Sequence, residues 1–313
     1  MDILKIIIEH FFKSLKFRPK IPKGFKLKKR VLFFGIGGSG FGGEILKFLS
    51  KRIILVEKNY KFSFQQKLDD FSTIVCSWSG KTKEIQLVLN EIKKAKPLIV
   101  SSGDLANKFK NLPTIVLPKN EFSPRFNLGY FISVFSFLEE KKLWRRLQKI
   151  NTKKILKKVL EILDDKFSKD VILKIKKRIP LIYSSKENFP LAYLMKIKLN
   201  ENSKIPAFCN FFPELAHNEL SFLPRYSRKF LFVILKDKKE KFIEFQVEIF
   251  KKILKNSEII EIILPEEKLE KLIFVNLFSD VLTYKISGSN IIKNKTLEVF
   301  KKSLGKYEGD KIQ

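Results

Sequence analysis

The segment VLFFGIGGSGFGGEILKFLSKR, residues 31–52, joins a short apolar run to a glycine-rich loop and a helical pattern of apolar residues. The run at 31–36 is bounded by glycines and predicts a buried strand, and the residues after the loop have helical spacing. Glycines let backbone N–H groups approach an anion closely, and a helix N-terminus adds positive partial charge. The segment therefore predicts a strand, a loop able to bind phosphate, and a helix.

Apolar strands alternate with helical segments along the rest of the chain, after a predicted first helix at residues 2–16. Strands are predicted at residues 31–36, 53–58, 72–78, 97–102 and 114–118, and again at 179–185, 229–236 and 258–264. This alternation is typical of a parallel sheet covered by helices on both faces. We therefore predict an α/β fold.

A lysine-rich helical region at residues 138–178 separates the two groups of strands, with breaks expected near Asn151 and Asp164. The second group repeats the architecture of the first without its glycine loop. The sequence therefore predicts two domains, residues 1–150 and 151–313, each with a mostly parallel sheet flanked by helices.

The composition indicates an ordered, basic chain with no membrane span. The 313 residues are 44% hydrophobic with a net charge of +30. No apolar run reaches the roughly 18 residues of a membrane helix, and the N-terminus lacks a small-residue cleavage site. We therefore expect a soluble, cytoplasmic protein without a membrane partner.

The basic residues are spread over every segment, and only nine of the 63 are arginine. Arginine is the side chain that best forks onto phosphates and bases, so nucleic acid is not the expected partner. The positive field would still steer small anionic substrates. Cys76 and Cys209 lie far apart outside any paired motif, which predicts reduced thiols and no cysteine-based metal site.

The glycine loop GIGGSG, residues 35–40, allows two further interpretations. It satisfies G-x-G-x-x-G, and Glu57 ends the next strand about twenty residues on, as the ribose-binding acid of a dinucleotide fold would. It could also be a tight turn that binds nothing.

A second hydroxyl-rich loop, SWSGKTKE at residues 77–84, again follows an apolar strand and opens a helix. It offers hydroxyl groups together with free backbone N–H groups, which suit a phosphate and are not required by a dinucleotide fold. The ending Gly-Lys-Thr is that of a P-loop, but Val75 stands where the first P-loop glycine is needed. The simpler alternative is a capping box.

The third segment, NENSKIPAFCNFFPELAHNEL at residues 200–220, collects carboxylates, amides and His217 around two prolines. Glu201 lies sixteen residues before His217, so the segment offers a base and a proton shuttle. The alternative is a solvated loop with a capping histidine.

These three segments, with Pro124-Arg125 between the second and third, resemble in order and spacing the archaeal-type bifunctional phosphoglucose/phosphomannose isomerases. Members of that family consist of two sugar-isomerase (SIS) domains, and the resemblance extends over residues 32–304. It implies a cytoplasmic homodimer with active sites at the interface, sugar-phosphate substrates and no metal.

The resemblance also implies roles for individual residues. The substrate phosphate would be bound by Ser77, Ser79 and Thr82, with Gly37, Gly38 and Ser39 beside the sugar. Arg125 would stabilise the enediolate, and Glu201 would move the proton between C1 and C2. His217, supplied by the neighbouring subunit, would open the ring. Lys301 matches a family lysine near the end of the chain.

The chain departs from the family pattern in three places. Lys81 stands where Asn or Thr is usual, Trp78 where Tyr is common, and Asn294 where Thr is expected. The segment SGSNIIKNK, residues 287–295, lacks the family's proline-containing pattern. The sugar preference therefore stays open.

We expect an aldose–ketose isomerase that interconverts glucose 6-phosphate and mannose 6-phosphate with fructose 6-phosphate through a cis-enediolate. Opening a hemiacetal, removing a proton next to a carbonyl and stabilising an oxyanion require a histidine, a carboxylate and a fixed cation. Two alternatives remain open: a SIS protein that only binds a sugar phosphate, and a nicotinamide-dependent oxidoreductase.

Overall fold

The computed structural model describes residues 3–61, 67–292 and 295–304, which divide into two units. The N-terminal unit comprises the described residues within Glu9–Lys149 and Asn294–Gln313, and the C-terminal unit those within Met1–Ile8 and Ile150–Lys293. The chain divides near residue 150, but the described residues at its N-terminal end group with the C-terminal unit and those near its C-terminal end with the N-terminal unit. A single cut of the sequence does not anticipate this grouping. The reason is that contacts, and not chain order, define a compact unit.

The N-terminal unit contains a five-stranded sheet in which every pairing is parallel. Its strands, in the spatial order β2-β1-β3-β4-β5, are β1 (Arg30–Phe34), β2 (Ile53–Glu57), β3 (Ser72–Cys76), β4 (Leu98–Ser101) and β5 (Thr114–Val116). The first 149 residues also form helices α1 (Ile3–Leu15), α2 (Gly37–Leu49), α3 (Lys83–Ile92), α4 (Leu105–Lys108), α5 (Leu128–Glu139) and α6 (Lys141–Lys149). All five predicted strands of this part are confirmed.

The apolar runs form strands because both faces of the sheet are covered. Every residue of β3 is buried, as expected for a central parallel strand. Leu32 and Val75, on neighbouring strands, share a core cluster with Val88 and Leu89 of α3. This packing fixes where β1 and β3 end, and so where the loops after them begin.

The C-terminal unit contains a four-stranded parallel sheet. Its strands, in the order β7-β6-β8-β9, are β6 (Ile179–Ser185), β7 (Phe208–Phe212), β8 (Phe230–Lys236) and β9 (Glu258–Ile263). Its helices are α7 (Thr152–Ile162), α8 (Asp165–Lys177), α9 (Phe189–Asn202), α10 (Glu214–Asn218), α11 (Leu223–Tyr226), α12 (Lys241–Ile253) and α13 (Lys268–Ser287), and helix α14 (Lys295–Leu304) follows them in the chain. The predicted α/β class with two parallel sheets is confirmed.

The two predicted breaks in the lysine-rich helical region are helix N-caps. Asn151 Oδ1 accepts a hydrogen bond from the Lys154 N–H at 3.0 Å, and Asp164 Oδ1 accepts one from the Phe167 N–H at 2.7 Å. Each side chain satisfies a backbone donor that the first turn of a helix leaves unpaired. The breaks therefore start α7 and α8.

The sequence does not predict strand β7. It is an edge strand that pairs only with β6 among the described strands, and Phe208 at its start is 56% exposed. Its sequence FCNFF is interrupted by Asn210 and lies between Pro206 and Pro213. An edge strand needs no continuous apolar run, so its pattern is that of an irregular segment.

Candidate active site

The two loops singled out in the sequence follow neighbouring strands of the N-terminal sheet. The chain leaves β1 through α2 to reach β2 on one side, and leaves β3 through α3 to reach β4 on the other. The strand order therefore reverses between β1 and β3. In open parallel sheets, ligands bind in the crevice beyond the carboxyl ends of strands at such a reversal. The geometry places the loops at residues 35–40 and 77–82 at this crevice.

The first loop lies close to the segment that carries Arg125. A Cβ atom added at Gly38 would lie only 2.8 Å from Pro124 Cβ and 3.3 Å from the Arg125 nitrogen. A side chain at this position would therefore push the two segments apart. Gly37, which starts α2, has a φ of +59°, a backbone conformation that suits glycine.

A direct hydrogen bond links the two loops. The Trp78 N–H donates to Ser39 Oγ at 2.9 Å, and Ser39 is only 6% exposed. The Trp78 ring is itself buried beside Tyr130 and Phe131. Trp78 replaces the Tyr that is common at this position in the family pattern. Its ring anchors the second loop by packing on Tyr130 and Phe131, and its backbone N–H bonds to the first loop.

The second loop presents its hydroxyl groups around the start of α3. Ser77 is 1% exposed, and its Oγ lies 3.4 Å from Thr82 Oγ1, while Ser79 is exposed. Thr82 is the N-cap of α3 but makes no side-chain capping bond among the described residues, which disfavours the simple capping-box alternative. The arrangement offers hydroxyl donors and a helix N-terminus to an anion.

A close approach between backbones shapes this loop. A Cβ atom added at Gly103 would lie 1.9 Å from the Ser79 carbonyl oxygen, and Gly80 adopts a φ of +70°. Lys81 Nζ is exposed and 3.9 Å from an Asp104 carboxylate oxygen. The loop is therefore fixed by backbone packing, with Lys81 at its surface.

Arg125 is a buried cation of the same unit. It lies in a short 3₁₀ segment, Pro124–Phe126, is 5% exposed, and its guanidinium carbon is 4.9 Å from the centre of the Phe126 ring. A buried guanidinium carries fixed positive charge at any physiological pH. Its backbone nitrogen lies beside Gly38, and its role at an oxyanion stays a prediction.

Asn127, which the sequence did not single out, anchors the Arg125 segment. It is fully buried, and its Nδ2 donates to the Phe122 carbonyl at 2.8 Å. Its Oδ1 accepts from Asn120 Nδ2 at 2.9 Å and lies 2.8 Å from His10 Nε2. Burial lowers the pKa of His10. The hydrogen bond to Asn127 acts in the opposite direction, but its effect is smaller. Asn120 and Phe122 are close to Asn127 in sequence, but its contact with His10 spans 117 positions, and no local pattern could identify that contact.

Glu201 lies in the C-terminal unit, in the last turn of α9, and is half-buried. Its neighbour Asn202 is fully buried and donates from Nδ2 to Thr283 Oγ1 at 3.1 Å. Lys204 follows the helix end with a φ of +56°, and its Nζ donates to the Glu201 carbonyl at 3.0 Å. Glu201 therefore stands on a well-anchored helix end rather than in a solvated loop.

His217 lies in the short helix α10 and is exposed. The segment around it is anchored by Glu219, whose carboxylate accepts hydrogen bonds from the Tyr183 hydroxyl and, at 2.6 Å, from Asn210 Nδ2. Glu214 accepts from Asn218 Nδ2 at 2.9 Å. The two other carboxylates of the segment thus serve its structure, and His217 presents its ring at the surface.

The remaining two predicted site residues lie at the end of the chain. Asn294 lies outside the described residues. Lys301 belongs to α14, and its side chain also lies outside what the structure describes. Their roles stay predictions.

The sequence missed a polar network at the corresponding reversal of the C-terminal sheet, between β6 and β8. Ser185 Oγ donates to Glu240 at 2.9 Å, Asn188 Nδ2 donates to Ser185 Oγ at 3.1 Å, and Lys271 forms an ion pair with Asp237. Burial favours a higher pKa for Asp237, but the contacts with Lys271 and the Lys239 N–H outweigh it and lower the pKa. At this reversal polar side chains of the protein bond to one another, where the N-terminal unit has glycine loops.

Neither a metal cluster nor a membrane helix is present in the described part of the chain. Within residues 3–61, 67–292 and 295–304, no three His, Cys, Asp or Glu side chains are grouped so that they could hold a metal ion. No helix in these ranges combines the length and apolar character needed to cross a membrane.

The chain is similar to known proteins over nearly its whole length. The family model of the bacterial phospho-glucose isomerase C-terminal SIS domain matches residues 164–302. A bifunctional phosphoglucose/phosphomannose isomerase of Aquifex aeolicus is 30% identical over 328 residues, covering 98% of this chain and 100% of that protein. A protein of the same name from Thermoplasma volcanium is 28% identical over 291 residues, covering 88% and 90%.

The chain is also similar to proteins with other names. A D-glucosamine-6-phosphate 4-epimerase of Sulfolobus acidocaldarius is 31% identical over 214 residues, covering 63% of this chain and 65% of that protein. The C-terminal domain of glucosamine-fructose-6-phosphate aminotransferase from Francisella tularensis superposes with a TM-score of 0.69 at 14% identity, over 93% of this chain and 95% of that one. At this identity the superposition shows the shared fold.

Proposed function

Because this chain belongs to the family of bifunctional phosphoglucose/phosphomannose isomerases, we propose that it interconverts glucose 6-phosphate and mannose 6-phosphate with fructose 6-phosphate. The predicted family is confirmed by a relative that is 30% identical over its full length. The chain is thus an enzyme of the isomerase class. Its reaction needs a phosphate site, a base and a group that opens the sugar ring, and the chain offers a candidate for each.

The observation that carries the proposal is the linked pair of loops at the β1–β3 reversal. Ser39 and Trp78 join the loops through a 2.9 Å hydrogen bond, and Ser77, Ser79 and Thr82 surround the start of α3. A dianionic phosphate bound there receives hydroxyl donors and the positive end of a helix. The phosphate then supplies binding energy remote from the reacting carbons.

Proton transfer is assigned to Glu201. Glucose 6-phosphate and mannose 6-phosphate differ only at C2, so removing the C2 proton from the open-chain form of either gives the same cis-enediolate. Glu201 takes that proton and returns it to C1, and Arg125 stabilises the oxyanion with its fixed charge. Half-burial of Glu201 limits its hydration while leaving it reachable.

Ring opening is assigned to His217, supplied by the neighbouring subunit of a homodimer. Support comes from its exposure on α10, which leaves the ring accessible to a second copy of the chain. Lys301 as a further catalytic residue and Asn294 as a substrate-binding residue complete the proposed set. We take the homodimer to act in the cytoplasm on sugar phosphates, without a metal or another cofactor and without a nucleic-acid or membrane partner.

The test is product analysis by ¹³C NMR after separate incubation with glucose 6-phosphate and mannose 6-phosphate, with and without added NAD. Fructose 6-phosphate should form from both at rates that do not depend on NAD. Absence of fructose 6-phosphate from both incubations would contradict an isomerase and leave a protein that only binds sugar phosphates. Its formation from glucose 6-phosphate alone would contradict activity on both sugars. NAD-dependent turnover would indicate an oxidoreductase.

A second candidate activity is suggested by the similarity to the Sulfolobus 4-epimerase. Incubation with D-glucosamine 6-phosphate would reveal it as a product with inverted configuration at C4. We expect no such product, because a base that acts between C1 and C2 does not reach C4 in the same bound pose.

A further inference from the structure

Two polar contacts join α9 to α13 directly beside Glu201. Lys198 Nζ lies 2.7 Å from Asp280 Oδ1, and the two side chains are 0% and 2% exposed. One turn further along both helices, Asn202 Nδ2 donates to Thr283 Oγ1 at 3.1 Å. Thr283 Oγ1 in turn lies 2.7 Å from the Ser279 carbonyl, to which it donates. Glu201 therefore sits between two fixed points on its own helix.

Stability alone does not account for a fully buried ion pair. Removing both charges from water is costly, and well-packed apolar side chains in the same place are often as stable or more stable. Unlike apolar packing, an ion pair and a hydrogen bond depend on direction. Each forms only when α9 and α13 have one relative rotation and one register. Apolar side chains on α9 and α13 would tolerate small shifts that these two contacts do not.

A third contact fixes the end of α9. Lys204 adopts a left-handed backbone conformation, which is unfavourable for a residue with a side chain. Its Nζ donates to the carbonyls of Glu201 at 3.0 Å and Asn202 at 3.1 Å, and to the Asn290 carbonyl, beyond α13, at 3.3 Å. A cation at a helix C-terminus satisfies carbonyls that lack partners within the helix. This cap ties the turn that carries Glu201 to the segment after α13.

We propose that Asp280, Thr283 and Lys204 are positioning residues, which hold Glu201 in the geometry required for proton transfer at C2. The proposal rests on the proposed function, in which Glu201 is the base. Proton transfer tolerates little displacement, and a misplacement of about 1 Å can cost 10²-fold in rate. The contacts of Asp280, Thr283 and Lys204 restrict the movement of Glu201 before substrate binds.

Thr283 offers a test in which two substitutions give opposite results. Thr283→Val keeps the shape of the side chain and removes the hydroxyl, whereas Thr283→Ser keeps the hydroxyl and removes a methyl group. If the hydroxyl positions Glu201, Thr283→Val should lower kcat roughly tenfold with KM unchanged, and Thr283→Ser should retain near wild-type kcat. If Thr283 only fills space, the valine variant should be active and the serine variant impaired.

Ser168→Ala is the matched control, because Ser168 is 3% exposed and its Oγ donates at 2.9 Å to the carbonyl of Leu163, which belongs to neither α9 nor α13. It should lower Tm without lowering kcat. Should Thr283→Val fail to fold, Lys204→Met carries the test, since Lys204 is exposed and methionine keeps the apolar stem without the donors. It should lower kcat severalfold at unchanged KM.

The measurements are steady-state kinetics with glucose 6-phosphate and thermal unfolding of each full-length variant, alongside Glu201→Gln. Wild-type kcat in Thr283→Val or, where that variant does not fold, in Lys204→Met would overturn the positioning role while Glu201→Gln remains inactive. An active Glu201→Gln enzyme would instead remove the base assignment, so the two failures are distinguishable.

Discussion

The backbone N–H of Trp78 donates a 2.9 Å hydrogen bond to the side chain of Ser39, and so joins two loops that are nearly forty residues apart in sequence. The Ser39 hydroxyl oxygen accepts this hydrogen bond through one lone pair. Its own proton remains available to a ligand. The bond makes the two loops one binding surface, so a change in either should be felt in the other.

Phosphate binding can be tested at Thr82. Thr82→Ala should raise KM about tenfold with little change in kcat, because phosphate contacts are largely equal in the ground and transition states. Steady-state kinetics with glucose 6-phosphate would show it. The control is Thr114→Ala, since Thr114 donates to the Leu112 carbonyl at the start of β5. Turnover of free glucose as fast as of the phosphorylated sugar would contradict the site.

The base assignment can be tested with an isosteric change. Glu201→Gln should lower kcat by about 10²- to 10⁴-fold, the usual contribution of general acid–base catalysis, while substrate still binds through its phosphate. Glu214→Gln is the matched control in the same segment, because the Glu214 carboxylate accepts a structural hydrogen bond from Asn218 on its own helix. Near wild-type turnover in Glu201→Gln would exclude this residue as the base.

The shared site can be tested by subunit mixing. Glu201→Gln and His217→Ala chains should each be inactive alone, and mixing them should restore about a quarter of wild-type activity. Random exchange makes half of the dimers hybrid, and each hybrid contains one intact site. Mass spectrometry of differently tagged chains would verify exchange. Exchange without recovery would place His217 in the site of its own chain.

Sugar preference can be tested at Asn294. Asparagine has more hydrogen-bonding groups than the threonine expected there, and so can restrict rotation about the C2–C3 bond of the bound sugar. Asn294→Thr should shift the ratio of kcat/KM values toward mannose 6-phosphate. Parallel assays of fructose 6-phosphate from each substrate measure that ratio, and an unchanged ratio would show that Asn294 does not set the preference.

The pH dependence of stability can be tested at His10, which stacks on Phe122 with ring centres 4.3 Å apart. Burial is the main cause that lowers the pKa of His10 below its ordinary 6.5, and the charge of Lys13 adds to it. The unfolded chain therefore binds more protons as the pH falls through 6.5, so this stabilisation is present above that pH and is lost below it.

His10→Gln removes this titration while its amide can still donate to Asn127. Urea unfolding at several pH values between about 7 and 5 should show a shallower loss of stability in this variant than in the wild type. The control is Ser168→Ala, which removes a buried hydrogen bond without changing any titratable group and should keep the wild-type slope. Parallel curves for His10→Gln and wild type would contradict a lowered pKa of the half-buried His10.

The sequence by itself determined the α/β class, because a strand buried on both faces must be apolar throughout, and such runs stand out between helical segments. It also determined the positions of both N-terminal loops, since glycines and hydroxyl residues between a strand and a helix have a local physical meaning. The helix starts at Asn151 and Asp164 were predictable for the same reason: capping involves residues three apart.

Tertiary structure alone decided which residues support the site. Strand β7 forms because β6 offers it an edge, and Asn127 and Thr283 matter through partners far away in the chain. Lys198 and Asp280, which form a buried ion pair, are 82 positions apart. In the sequence neither residue differs from a lysine or an aspartate at the surface. Contacts between distant residues depend on how the helices and strands pack, and a pattern read within one segment carries no information about that packing.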